Sequence, residues 1–145
     1  MAQHCDTAYP QTLAQDRGVY GIGYNSDMSK ETPNSCLTSV IWNWSAYYTS
    51  AVKSVMNGTW DGSNYYGGMA EGLVGITNLA GFAADGTQEK VDKATAAILS
   101  GENNVFDGVL ETNTGDTIGS EGSTLDDATI TGGINWYYRN VVVVE

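Results

Sequence analysis

Tyr24, Asn25, Asp27 and Trp42, with His4 and Asp6 nearer the start, are the side chains whose types and spacing suit chemistry. They offer flat π-faces beside an amide, an imidazole and two carboxylates. That is the equipment for holding a planar polar ligand: rings stack on its faces and polar groups read its edge. Nothing in the set looks like a nucleophile with its base. A catalytic serine wants a base within reach, and the single histidine has no serine-elbow motif to serve. Asp6 and Asp27 could in principle flank a glycosidic bond as acid and base, yet neither has an apolar setting that would raise a carboxyl pKa. Cys5 and Cys36 fit no metal spacing and are expected as free, partly buried thiols, with a disulfide as the alternative. Every candidate also has a plainer reading. Asn25-Ser26-Asp27 is turn-forming sequence, Trp42 and Trp44 can be packing, and a lone histidine is usually a satisfied surface or core group.

The elements that must position these residues lie between Gly18 and Trp44. Val19 to Tyr24 reads as a strand, Asn25 to Asp27 as a polar tip, and Leu37 to Ile41 as a second strand ending in Trp42-Asn43-Trp44. Short apolar runs bounded by Gly and Asn mark strands buried on both faces, as parallel strands are. Open parallel sheets hold ligands just beyond the carboxyl ends of their strands. Ala2 to Asp6 suggests a further strand end, on which His4 and Asp6 share one face. Between them Pro10 opens a helix over residues 11–16, and Gly18 ends it.

Downstream, Ser45 to Asn57 is helical. Tyr48, Ala51, Val52, Val55 and Met56 form one apolar stripe, Asn43 or Ser45 can cap the start, and Gly58 stops the end. Tyr65 to Ile76 is apolar but Gly-rich, with strand-like ends. Asp85 and Gln88 resemble a capping box opening a helix that runs to Ser100, with Val91, Ala94, Ile98 and Leu99 inward. Val105 to Leu110 reads as a strand, Asn113 to Ser123 as a polar loop, and Ser123 to Asp127 as the cap of a short C-terminal helix. Ile134, Trp136 and Tyr137 are expected to pack that helix onto the body.

A chain of 145 residues suits one domain with a real core. Its net charge of −11, with six Lys and Arg, repels phosphate backbones and anionic lipid, which argues against nucleic acid and membrane-surface partners. No apolar run is long enough to span a bilayer. Met1-Ala2-Gln3-His4 lacks the pattern of a signal peptide, and the chain is expected to open in mid-sheet.

GIGYNSDM (residues 21–28), LTSVIWN (37–43), YYGGMAEGLVGI (65–76) and VFDG (105–108), in that order, resemble the basic membrane protein family. These are substrate-binding lipoproteins of bacterial ABC importers that capture purine nucleosides and nucleobases. The closing stretch, Leu125 to Asp127 and Gly133 to Trp136, resembles the tail of one branch of the family. The resemblance implies an α/β fold of the type I periplasmic-binding kind, in which two lobes close on a ligand, and it covers only the second half of the family's length. It implies residues 1–36 as the end of the C-terminal lobe, 37–66 as a crossover into the other lobe, and 67–145 as the return and tail. It also implies an ABC permease as partner, a periplasmic or cell-surface location, and a lipid anchor on a preceding segment. No catalysis, metal or cofactor is implied.

Two positions depart from the family's pattern. Its usual carboxylate pair after the Gly-rich strand is Asn25 and Asp27 here, and Trp42 replaces a lysine common in nucleoside binders. Losing a cation and gaining an indole favours a bare, adenine-like nucleobase over a ribosylated ligand. An Asn amide can bond bidentately to the N6/N7 edge of adenine. Asp27 could accept from an amine or ring N–H, or hold a ribose diol if one is present, and His4 with Asp6 supplies a second polar wall. A sugar stacked on the aromatic side chains is the alternative ligand, and a nucleoside hydrolase the alternative activity.

Overall fold

The computed structural model describes residues 1–144, in two compact units: Met1–Lys90, and the segment from Val91 onward. In the first unit, α1 (Tyr9–Asp16) starts with Pro10 in its first turn, where no intrahelical N–H is lost, and Gly18 follows its end at φ +66°. It packs on β1 (Gly21–Asn25) and buries Gln11 and Ala14. β1 pairs in parallel with β2 (Cys36–Trp42), aligning Tyr24 with Val40 and Asn25 with Ile41. Ala2 adds a single parallel bridge to Ile22 on the other side of β1. β3 (Val74–Ile76) runs antiparallel to β2, with Trp42 opposite Val74. The sheet is therefore mixed, in the order β1-β2-β3, and parallel where the sequence places the site.

Burial of these strands is lighter than the sequence suggests. Their most buried positions are small or polar: Gly21, Gly23, Cys36, Thr38 and Ser39. Ile22, Leu37, Val40 and Ile41 are only half-buried, and Val19 and Tyr20 lie before the strand, exposed. A hydrophobic run reports capacity for burial, and what covers the second face is a separate matter.

The same holds for α2 (Ser45–Met56). The helix forms where its period predicts, and Gly58 follows at φ +69°. Its apolar stripe nevertheless faces outward, with Val55 61% and Met56 80% exposed. Asn43 and Ser45 do not cap its start. The Ser45 hydroxyl donates to the Asn43 carboxamide oxygen instead, and Trp44 occupies the cap position with no side-chain bond.

α3 (Thr87–Ser100) spans the division between the units. Val91, Thr95 and Ala97 are half-buried, whereas Ile98 and Leu99 are exposed, so the inward face differs from the predicted one. In the second unit, β4 (Asp107–Glu111) pairs antiparallel with β5 (Thr117–Thr124). Residues 113–123, expected as a polar loop because TIGSEGST has neither alternation nor β-branched density, contribute most of β5 instead. Backbone pairing carries this hairpin, with an irregularity between Asp107 and Val109 and Gly119 at φ +82° against the Gly108 carbonyl. A π-helical turn, Thr129–Gly133, follows. Asp126 accepts the Thr129 N–H at 2.7 Å, and that bond holds its carboxyl below the ordinary aspartate range.

Candidate ligand-binding site

Two glycines and two buried side chains place the predicted residues. Gln11 is completely buried, and its Nε2 donates to Gln3 Oε1 and to the Ile22 carbonyl, both at 2.9 Å. Gly21 makes this possible, since a Cβ there would collide with the Gln11 carboxamide. Gln3 Nε2 in turn donates to the Cys5 and Thr7 carbonyls at 2.9 and 2.8 Å, and the Ile22 N–H donates to the Met1 carbonyl at 2.7 Å. Residues 1–7 are thus laid along β1, which brings His4 to Tyr24 and Asp6 to Asn25.

On the other side of the tip, Met28 is buried and its N–H donates to Ser39 Oγ at 3.1 Å. Gly23 leaves room for that hydroxyl, where a Cβ would collide with it. This contact ties the loop after β1 to the middle of β2.

Asn25 adopts φ +69° and is the only non-glycine residue with positive φ among those described. Asn is one of the few side chains that tolerates this left-handed region. The turn sends its Nδ2 to Asp6 Oδ1 at 3.2 Å. Asn25 Oδ1, the second amide hydrogen and Asp6 Oδ2 remain as an edge that both donates and accepts. Asp27 is exposed and bonds within its own turn, accepting the Ser29 N–H at 3.0 Å. Hydrogen bonding from Ser29, side chain first and then backbone, with Lys30 adding, holds the Asp27 carboxyl below its usual range. A general acid needs the opposite shift, so Asp27 is unsuited to the acid half of an acid–base pair.

The rings form a row. His4 lies 4.5 Å from Tyr24, centroid to centroid, and Tyr24 meets Trp42 edge to face at 6.4 Å. Trp42 continues to Trp44 at 6.2 Å, Trp44 stacks on Tyr48 at 6.0 Å, and Tyr47 stacks on Tyr65 at 4.4 Å. Five of the six predicted residues are therefore joined, His4, Tyr24 and Trp42 by their rings and Asp6 with Asn25 by a hydrogen bond. Asp27 stands apart in its turn. Trp44, whose plainer reading is packing, and Tyr48 of the α2 apolar stripe are exposed extensions of the row. The available signal was the density of aromatics across the end of β2 and the first turn of α2.

Both thiols are free: Cys36 is buried and donates to the Thr38 carbonyl at 3.3 Å, and Cys5 is half-buried. Among the described residues no cluster of three or more His, Cys, Asp or Glu side chains could hold a metal ion. No described helix is long and apolar enough to cross a membrane.

Residues 6–106 match the family model for Bmp, the PnrA-like ABC transporter substrate-binding proteins. This chain is a member of the Bmp family. Among similar proteins, a purine-binding protein of Brucella abortus (strain 2308) is 35% identical over 97% of this chain. A Haloferax volcanii protein, named as a candidate glucose-binding protein of an ABC transporter, is 28% identical over 74% of it. The chain spans 40% of the first relative's length and 28% of the second's. A crystal structure titled as a transcriptional activator of the comK gene from Bacillus halodurans superposes on 65% of this chain, with a TM-score of 0.56 at 20% identity. The chain covers 33% of that structure, and the likeness concerns fold alone. The Bmp match spans α1 to α3 and so includes the Asn25 tip and the ring row from Tyr24 onward, while His4 lies before it.

Proposed function

We propose that this Bmp chain carries part of a site that captures a purine, an adenine-like nucleobase or its nucleoside, for delivery to an ABC permease outside the cytoplasm. The observation that supports this reading is the meeting of the ring row with the Asn25–Asp6 pair where parallel β1 and β2 end. A base stacked beside Tyr24 and Trp42 gains roughly 1–3 kcal/mol from that contact whatever its identity. Selectivity then comes from the edge. The free Asn25 amide hydrogen and carbonyl match the acceptor–donor pair at N7 and N6 of adenine. Asp6 Oδ2 and the His4 ring bound the second side. We assign residues 1–36 to the end of one lobe of a type I two-lobe fold, 37–66 to a crossover, and 67–145 to the return and tail. The name of the Brucella relative supports the choice of purine.

NMR titration of the chain with adenine, hypoxanthine, adenosine and glucose tests the reading. Adenine is expected to shift the Tyr24, Asn25 and Trp42 resonances together. Trp42→Ala should weaken binding by about 5- to 150-fold, the equivalent of the lost stack. Purines that leave all three residues unmoved at millimolar concentration would overturn the proposal. Shifts with glucose alone would replace purine with sugar as the substrate class, a reading the exposed rings beyond Trp42 also favour.

A further inference from the structure

The second unit holds a cavity of about 430 Å³ whose walls include Trp136 and Tyr137 together with Asn113, Asp116 and Asn135. Backbone pairing fixes its two sides. The Asn113 N–H donates to the Tyr137 carbonyl at 2.8 Å, and Thr112 bridges antiparallel to Tyr138. The Arg139 N–H donates to the Glu111 carbonyl at 3.0 Å, and the Arg139 guanidinium pairs with the Glu111 carboxylate at 3.2 Å.

The carboxylate of Asp116 is also fixed. Thr114 Oγ1 donates to Asp116 Oδ2 at 2.9 Å. The buried Thr112 hydroxyl lies 2.9 Å from Thr114 Oγ1 and accepts the Asp116 N–H at 3.0 Å. Since Thr114 spends its proton on Asp116, Thr112 must donate to Thr114, and all three groups have one consistent hydrogen-bond direction. Asp116 Oδ1 is left to accept. Among the described residues, the side-chain amides of Asn113 and Asn135 have no hydrogen-bond partner.

We infer that this cavity binds the ring of a neutral saccharide. Its polar groups comprise a carboxylate acceptor and two amides that donate and accept, which suits hydroxyls acting in both senses. Its aromatic wall suits the apolar C–H face of a pyranose. Among the described residues no cation lines it, and the chain carries a net charge of −11, so phosphate- and carboxylate-bearing ligands are repelled. An organic cation could use Asp116 and the rings but would leave the amide donors idle. The volume lies within the range of small-molecule sites. This site is built entirely from the second unit and does not depend on the purine reading.

The test is NMR titration of the whole chain with methyl glucopyranoside and methyl mannopyranoside, with choline as the cationic probe. The Trp136 indole signal is assigned through Trp136→Phe. A saccharide is expected to move the Trp136 indole and the Asn113 and Asn135 amides saturably, at millimolar concentration. Asp116→Asn keeps an acceptor for Thr114 and should preserve the spectrum while weakening the saccharide about tenfold, the cost of losing a charge-assisted bond. Three results would overturn the inference: no saccharide moving the Trp136 indole, choline moving it at lower concentration, or Asp116→Asn binding as tightly as the parent. Shifts confined to the Trp42 indole would place sugar at the strand ends and also count against it, whereas failure of adenine at Trp42 leaves it intact.

Discussion

Replacing Gly21 by alanine should unseat the residues that hold His4 and Asp6 in place. Backbone propensity alone predicts the reverse, because glycine in a strand interior is less stable than alanine by about 0.5–1 kcal/mol. The new Cβ, however, would lie on the buried Gln11 carboxamide, whose oxygen already lacks a partner. Relief requires Gln11 to move, giving up the bonds to Gln3 Oε1 and the Ile22 carbonyl. Two neutral hydrogen bonds contribute about 1–3 kcal/mol together, and forcing extra volume into a packed site adds a similar amount. The expected destabilisation is about 2–4 kcal/mol, read from urea unfolding followed by circular dichroism. The decisive comparison is a double-mutant cycle with Gln11→Ala, which empties the contested space. In that background Gly21→Ala should cost nothing, so the two changes should couple by about 2–4 kcal/mol. Loss of the contact between the His4 and Tyr24 rings in the single variant would accompany it. Equal costs of Gly21→Ala in both backgrounds would refute the reasoning.

Asp27 should titrate below a normal aspartate. Because its folded pKa is depressed, its contribution to stability is present above the unfolded value and is lost as pH falls through the folded one. Carboxyl-carbon NMR should show this midpoint, and Ser29→Ala should move it back up. Gly23→Ala should push Ser39 Oγ off the Met28 N–H, costing about 1–3 kcal/mol in urea unfolding and loosening the Asn25–Asp27 tip, visible as faster exchange of the Met28 amide. Val55→Lys with Met56→Glu should leave stability within about 0.5 kcal/mol, because both side chains are exposed, while lowering binding of a hydrophobic dye. Gly119→Ala should open the β4–β5 hairpin by about 1–3 kcal/mol, since its φ is left-handed and its Cβ meets the Gly108 carbonyl. Slower exchange at the Leu110 and Ile118 amides in that variant would contradict it.

Much of the local structure is legible in the residues themselves. Pro10 and Gly18 bracket α1, the apolar period and Gly58 delimit α2, and the runs around Gly21–Asn25 and Leu37–Ile41 are strands. These are decided by backbone sterics and by periods of 2 and 3.6, which act within a few residues. The pairing of residues 117–124 with β4 was not legible, because it rests on backbone hydrogen bonds between segments whose side chains carry no pattern. The direction of β3 was hidden for the same reason.

For the candidate site, residue types announced a stacking and edge-reading role. The strand expected over residues 2–6, however, is a single bridge at Ala2 followed by a bend at Cys5 and Asp6. Contacts with Tyr24 and Asn25, rather than strand alternation, place His4 and Asp6. Only the folded chain decided that Asp6 would bond Asn25 while Asp27 turned to Ser29, since the positive φ at Asn25 aims one side chain back and leaves the other in its own turn. Likewise, the sequence determined which faces of α2 and the sheet are apolar, from periodicity alone. Whether those faces are covered depends on what packs against them. Val55 and Met56 stand exposed because burial belongs to a contact between elements, and a helix's own residues specify just one side of it.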